Sequence, residues 1–384
     1  MTSEQMIIVH ILTNPMTTQN VRGFLTPLLV NERRLRLLGI RLRIFNGLEA
    51  DLESCDVLMV NAKYYGKRWN DNTQEILDEL SSFAQKVGAL LYCDNYDSTA
   101  PIRTEVLPIV RYYFKNMLLR DRSLYSQPFY GGRIFTDYYH RCDGIDDNNP
   151  QHAEPITDPS LVAKLQLSWN YGLAHYGLLG GRVAALYGKV PIRQLIRLPA
   201  RFTAPSADRP NDISCRLTTN YPRQTIAYHR KRIMSTLSKR VDMARVGRVQ
   251  FYRELTNSKI VVSPFGWGEF SLRDFEAFLC GALLLKPDMS HLETYPDFYR
   301  DGETIVTHHW DLHDLEEKID GVLDDYDRFV GIARNGQDLY RYYLSVGGKE
   351  EFAVRFQRIM KDALAQPASS AAQATPPTPS SFGG

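Results

Sequence analysis

Several features are missing from this 384-residue sequence, and each absence excludes a class of protein. There are only five cysteines, Cys55, Cys93, Cys142, Cys215 and Cys280, and none forms a CxxC pair. Such an odd, dispersed set argues against a disulfide framework or a structural zinc site and fits a reducing compartment. No apolar run reaches the about 18 residues that a membrane span needs. The opening MTSEQMIIVHILTNP has neither a basic leader nor a small-residue cleavage site, so it reads as a buried strand rather than a signal peptide. A formal net charge of +2 is too small to imply nucleic acid or an anionic membrane by itself, so any basic site must be local. These absences place the chain in the cytoplasm, free or peripheral to a membrane. From Gln366 to Gly384 there is no charged residue, and a stretch of Ala, Ser, Pro, Thr and Gly is expected to be disordered.

What is present suits a globular protein of two domains: 43% hydrophobic and 23% charged residues. The first half alternates strand-length and helix-length patterns. Strands are expected at Met6–Leu12, Ile40–Phe45, Asp56–Asn61 and Ala89–Asp94, with helices at Thr18–Leu38 and Asn72–Val87. This alternation predicts a doubly wound parallel sheet, with ligands at the carboxyl ends of its strands. Those ends carry Thr13-Asn14, Asn61-Ala62-Lys63 and Asp94-Asn95-Tyr96-Asp97. Pro108–Asp147 is aromatic and basic, and reads as a packed core or lid. A helical stretch is expected from Leu161 to Tyr187 and a hinge near Pro191–Pro210.

The alternation then restarts. Strands are expected at Asp212–Leu217, Lys259–Ser263 and Ala282–Lys286, and helices at Arg223–Arg240 and Leu272–Cys280. An acidic, solvated helix follows Asp301, and helices around Gln337–Tyr343 and Glu350–Leu364 pack back across the molecule. The expected organisation is therefore a Rossmann-like domain over 1–190, a second over 191–345, a returning helix over 346–365, and the tail.

The chemistry is densest in KIVVSPFGWGEFSLRDFEAFLCGALLLKPD. A buried strand ends at Ser263, a loop holding Gly266 and Gly268 follows, and a helix begins near Ser271. Glycines admit close approach of a ligand to the backbone, and a helix N-terminus favours a phosphate. Arg273, in the first turn, can add a charge-assisted bond. Leu272, Phe275 and Leu279 share one face, whereas Arg273 and Glu276 share another that can look into a cleft. Glu276 could accept bonds from a ribose and Glu269 could touch a sugar; equally, Arg273 and Glu276 could be a surface pair. Upstream, Arg216 and Arg223 flank a second basic cluster. Arg230, Lys231 and Arg232 read as solvated helix charges. For proton transfer the candidates are Asp94 and Asp97, with Asp137 and His140 in the aromatic segment; Asp94 could instead cap the next element. His10 reads as a core histidine, and His308, His309 and His313 lack a further metal ligand.

The run PxGxGE…R…FEA…GA…KPD resembles the donor-site motif of exostosin-like glycosyltransferases, protein O-glucosyl/xylosyltransferases and group 1 glycosyltransferases. Ser263, Gly266, Gly268, Glu269, Arg273, Glu276, Gly281 and Lys286 carry the likeness, over about Lys259 to Thr307. The resemblance implies a GT-B fold, two Rossmann-like domains facing a cleft. It also implies a nucleoside-diphosphate sugar donor, a glycan or other hydroxyl acceptor as in surface polysaccharide synthesis, and no essential metal. Glu269 and Glu276 are one residue closer together than the paired glutamates of the group 1 enzymes, so no retaining mechanism is inferred. Two other readings remain: a GT-B-like glycan- or nucleotide-binding protein without catalysis, and a dehydrogenase, for which a GxGxxG after the first strand is lacking.

Overall fold

The computed structural model describes residues 6–187 and 195–365. The expected disordered tail, and part of the expected hinge, lie outside the described residues.

The first domain comprises β1 (Ile7–Leu12), α1 (Gln19–Leu37), β2 (Ile40–Phe45), β3 (Val57–Asn61), α2 (Arg68–Asp71), α3 (Thr73–Lys86), β4 (Ala89–Asp94), β5 (Tyr112–Lys115), β6 (Met117–Leu119), α4 (Ile134–Asp143), β7 (Leu165–Leu167) and α5 (Gly180–Tyr187). Its six-stranded sheet has the order β2-β1-β3-β4-β5-β7, and every pairing is parallel. Strands β3 and β4 are buried along their whole length, as continuous apolar runs in a sheet covered on both faces should be.

The second domain comprises β8 (Asn211–Ser214), α6 (Gln224–Leu237), α7 (Arg248–Asn257), β9 (Ser258–Val262), α8 (Leu272–Cys280), β10 (Leu283–Pro287), β11 (Leu292–Thr294), β12 (Val306–His308), α9 (Leu315–Asp324), α10 (Tyr326–Leu344) and α11 (Val346–Ala365). Its parallel sheet runs β12-β10-β9-β8. Two parallel-sheet α/β domains facing each other form the GT-B arrangement. Helix α11 leaves the second domain and packs on α1 of the first. A short antiparallel pair, β6 with β11, also joins the domains.

Two expectations are corrected. Leu161–Tyr187 is not one helix: only its last eight residues are α-helical. The segment before them is wedged against the second domain. Asn170 donates from its backbone to the Tyr295 carbonyl (2.7 Å) and from its side chain to the Pro296 carbonyl (2.6 Å). A Cβ on Gly172 would stand 2.7 Å from Phe275 and 2.8 Å from Phe298, so this glycine permits the domains to touch. Helix α8 is also not two-faced: from Asp274 to Cys280 every residue is buried, because α7 and α10 pack against it.

Candidate active site

Strand β9 ends at Ser263 and leads through the glycine loop into α8. Ser271 caps that helix: its hydroxyl accepts from the Arg273 N–H (3.3 Å), and its own N–H donates to Asp274 (3.0 Å). This capping box satisfies two otherwise orphaned donors. Asp274 is also the hub of a buried network, accepting from the Ser263 hydroxyl (2.5 Å) and the Tyr299 hydroxyl (3.0 Å). The Lys286 ammonium lies 3.1 Å from Asp274, with both side chains fully buried. Its remaining hydrogens reach the backbone oxygens of Glu269 (3.1 Å) and Ser263 (3.4 Å). An ammonium has three donors, and all three are occupied. Burial lowers the Lys286 pKa, with Asp274 opposing. Lys286 and Ser263, expected to bind a donor, instead pin the two ends of the glycine loop.

Three further expectations change in the same way. Glu276 does not share a cleft-facing surface with Arg273; it turns to α7, where Arg248 lies 2.6 Å from its carboxylate. Burial pushes the Glu276 pKa up to about 7, against the pull of Arg248. Glu269 is fully buried, and neither of its carboxyl oxygens has a hydrogen-bond partner among the described residues. Burial raises its pKa also, and the carboxyl does not line the cleft. Arg223 bonds to the Gly131 carbonyl and Gln151 and stacks on Trp267, so it joins domains rather than lining the cavities.

Arg216 does line a cavity, but its charge is balanced by Glu254 (2.6 Å) and Asp242 (2.8 Å), and Glu254 is the main reason its pKa rises. Asp94, a candidate base, is held by Lys115 (2.9 Å), the Tyr113 hydroxyl (2.8 Å) and the Tyr96 N–H (3.0 Å). It anchors the β4 terminus and is not available to a substrate. Asp137 likewise accepts from the Tyr130 N–H (2.9 Å) and pairs with Arg141 (2.8 Å).

The residues that do converge are Asp97, Gly266, Gly268 and Arg273, joined by Asn20, Tyr171, Tyr221 and Arg230. They line an interdomain cavity of about 280 Å³. Asp97 accepts from the Asn20 amide (2.9 Å) and is the one carboxylate among the described residues lining this cavity. Gly268 is required by the opposing domain: a Cβ there would fall 1.6 Å from the Asp97 carbonyl oxygen. At Gly266 a Cβ would reach to 3.3 Å from the Tyr221 hydroxyl, at the cavity wall.

A second cavity, of about 780 Å³, opens on the second domain beside Thr218, Met234, Met243 and Phe251. Arg230 and Arg273 line both cavities. Arg230 is buried, contrary to its reading as a solvated helix charge. Its guanidinium donates to the Thr218 (2.7 Å) and Phe265 (2.8 Å) carbonyls and lies over Tyr221; burial lowers its pKa. Arg273 donates to the Val262 carbonyl (3.2 Å) and to that of Arg216, while its buried Nε has no partner among the described residues. Sequence periodicity could not find Arg230, because the loop that buries it is contributed from 35 residues away. Asp274 did have a sequence signal, the Ser-x-x-Asp of a capping box.

Comparison with known proteins agrees with the second half of this picture. Residues 193–345 match the family model described as glycosyl transferase-like. No curated protein sequence matches the chain. Among solved structures, Anabaena HepE in complex with UDP-glucose is 10% identical with a TM-score of 0.42, covering 94% of this chain and 99% of that one. Sucrose-phosphate synthase from Thermosynechococcus elongatus is 10% identical with a TM-score of 0.46, at 94% and 99% coverage. A glycosyltransferase from Rickettsia africae is 9% identical with a TM-score of 0.42, at 95% and 100% coverage. The segment that supplies Arg230, Arg273 and the glycine loop lies within the residues that match the glycosyl transferase-like model.

Proposed function

We propose that this protein transfers a glycosyl group from a nucleoside-diphosphate sugar to a hydroxyl of a glycan or another acceptor. The observation that carries this reading is the pair of arginines shared by two cavities. In it, the nucleoside occupies the larger cavity, the diphosphate lies against Arg230 and Arg273 near the start of α8, and the sugar enters the interdomain cavity. The helix N-terminus and the unpartnered Arg273 Nε favour negative charge there.

Asp97 then takes the proton of the acceptor hydroxyl. The acceptor oxygen bonds to the anomeric carbon as the bond from that carbon to the phosphate oxygen breaks. The nucleoside diphosphate leaves with its charge offset by the two arginines, so the reaction runs without an essential metal. A binding protein without catalysis is the second reading, motivated by the structural engagement of Asp94 and the burial of Glu269 away from the cleft.

The test is thermal shift with UDP, GDP, ADP and CDP and their sugars, since binding raises apparent stability by mass action. At least one should raise the unfolding temperature, and Arg273→Ala should abolish that rise. The ligand-induced shift is the readout, because the loss of two backbone contacts lowers the variant's own midpoint. A chain that responds to none of these ligands is not a nucleotide-sugar enzyme. Donor binding without transfer or donor hydrolysis would favour the second reading.

A further inference from the structure

Beyond the cleft, a third cavity of about 350 Å³ shares Gln19 and Leu272 with the interdomain cavity. Its wall carries Arg22, Arg182, Arg197 and Arg248, the last already paired with the buried Glu276 (2.6 Å), and no carboxylate lines it among the described residues. Arg22 comes from the first turn of α1, and its guanidinium donates to the Thr17 carbonyl (3.0 Å). Arg182 and Arg248, with Leu178, continue into a surface groove of about 690 Å³, which adds Leu179, Val249 and Arg253, again with no carboxylate. The interdomain cavity, the arginine-lined chamber and the basic surface groove thus adjoin one another through shared wall residues.

The rim of that groove is apolar. Leu179 is 58% exposed and Val249 62%. Leu186 is 52% exposed, and lies two helical turns beyond Leu179 on the same side of α5 as Arg182. Adjacent exposed leucines are unfavourable in water and mark a contact surface. Leucines beside arginines match the boundary between acyl chains and anionic headgroups. With a net charge of only +2 for the whole chain, this concentration of positive charge is local to the path.

We propose that this rim docks on an anionic lipid surface and that the acceptor is a lipid whose anionic headgroup lies in the arginine chamber. The headgroup, or a sugar attached to it, presents its hydroxyl toward Asp97. The proposal rests on the glycosyl-transfer reading for the chemistry, but the docking surface does not depend on it.

The test is co-sedimentation of the full chain with vesicles of phosphatidylcholine, with and without phosphatidylglycerol. The protein should pellet with the anionic vesicles and much less with the neutral ones. Arg182→Gln should weaken binding about fivefold, the effect of one basic residue at a charged surface. The Leu179→Ser/Leu186→Ser double variant should remove most of the binding. Leu37→Ser, at an exposed leucine elsewhere, serves as the control and should retain it. No binding to either vesicle overturns the proposal, as does an equal loss in the Leu37 control. Soluble glycerol phosphate that protects the fold while vesicles are ignored would identify a water-soluble acceptor and also overturn it. Binding of UDP, GDP, ADP and CDP and their sugars is measured in parallel: failure of all of them beside intact vesicle binding would refute the transferase reading alone.

Discussion

Replacing Glu276 by glutamine removes a carboxyl group that burial pushes from an ordinary 4.5 up to about 7, even with Arg248 beside it. The folded protein therefore holds a proton on Glu276 between these two values, where the unfolded chain has released it. The slope of stability with pH is proportional to the proton excess of the folded state, so this contribution is complete below pH 4.5 and disappears as the pH rises through 7. A displacement from 4.5 to about 7 corresponds to about 3 kcal/mol in all, of which about 2.5 kcal/mol is lost between pH 5 and pH 8. The glutamine variant lacks this dependence and leaves Arg248, 41% exposed, able to turn to water. Urea unfolding at pH 5, 6, 7 and 8 measures both proteins. The wild type should lose stability relative to Glu276→Gln as pH rises, by about 2–3 kcal/mol across the range. Parallel curves would refute the reasoning and show that Arg248 keeps the carboxylate charged throughout.

The remaining predictions concern the cleft and its supports. Asp97→Asn should lower transfer by about 10²–10⁴-fold while leaving the nucleotide-induced thermal shift intact; an unchanged rate would move the base elsewhere. Gly268→Ala places a methyl group on the Asp97 carbonyl oxygen, so the domains must separate. Transfer should fall and unfolding occur at lower denaturant, by about 1–3 kcal/mol of overpacking, with the nucleotide still bound. Lys115→Met leaves Asp94 buried without its ion-pair partner and should cost about 3 kcal/mol in denaturant unfolding. The double variant with Asp94→Asn should recover part of that, and a double variant no better than the single would show that the carboxylate is not the source of the loss.

Much of the framework was legible because it rests on local pattern. Strands Ile40–Phe45 and Ala89–Asp94 and helix α8 occur at the residues expected from periodicity and flanking turn residues. The glycine loop was legible for the same reason, since a buried strand, glycines and a helix start are contiguous in sequence. Helix α7 was not anticipated: its ten residues are mostly polar, and it is held by packing against α8. Strand β5 was hidden in an aromatic and basic run, and its Lys115 is fully buried.

By itself the sequence determined the two alternating α/β halves, the donor-type loop and the position of Arg273 at a helix start, all of which follow from near-neighbour spacing. Only the tertiary structure decided how each polar group is used. Lys286 and Ser263 are tied to Asp274, and Asp94 to Lys115, because a buried charge must find a partner in the interior and that partner comes from another element of the fold. Arg230 and Asp97 meet at the cavity because two domains close over a glycine without a side chain. A residue's type and spacing say what it can bond to; which partner it meets depends on contacts made across the whole fold.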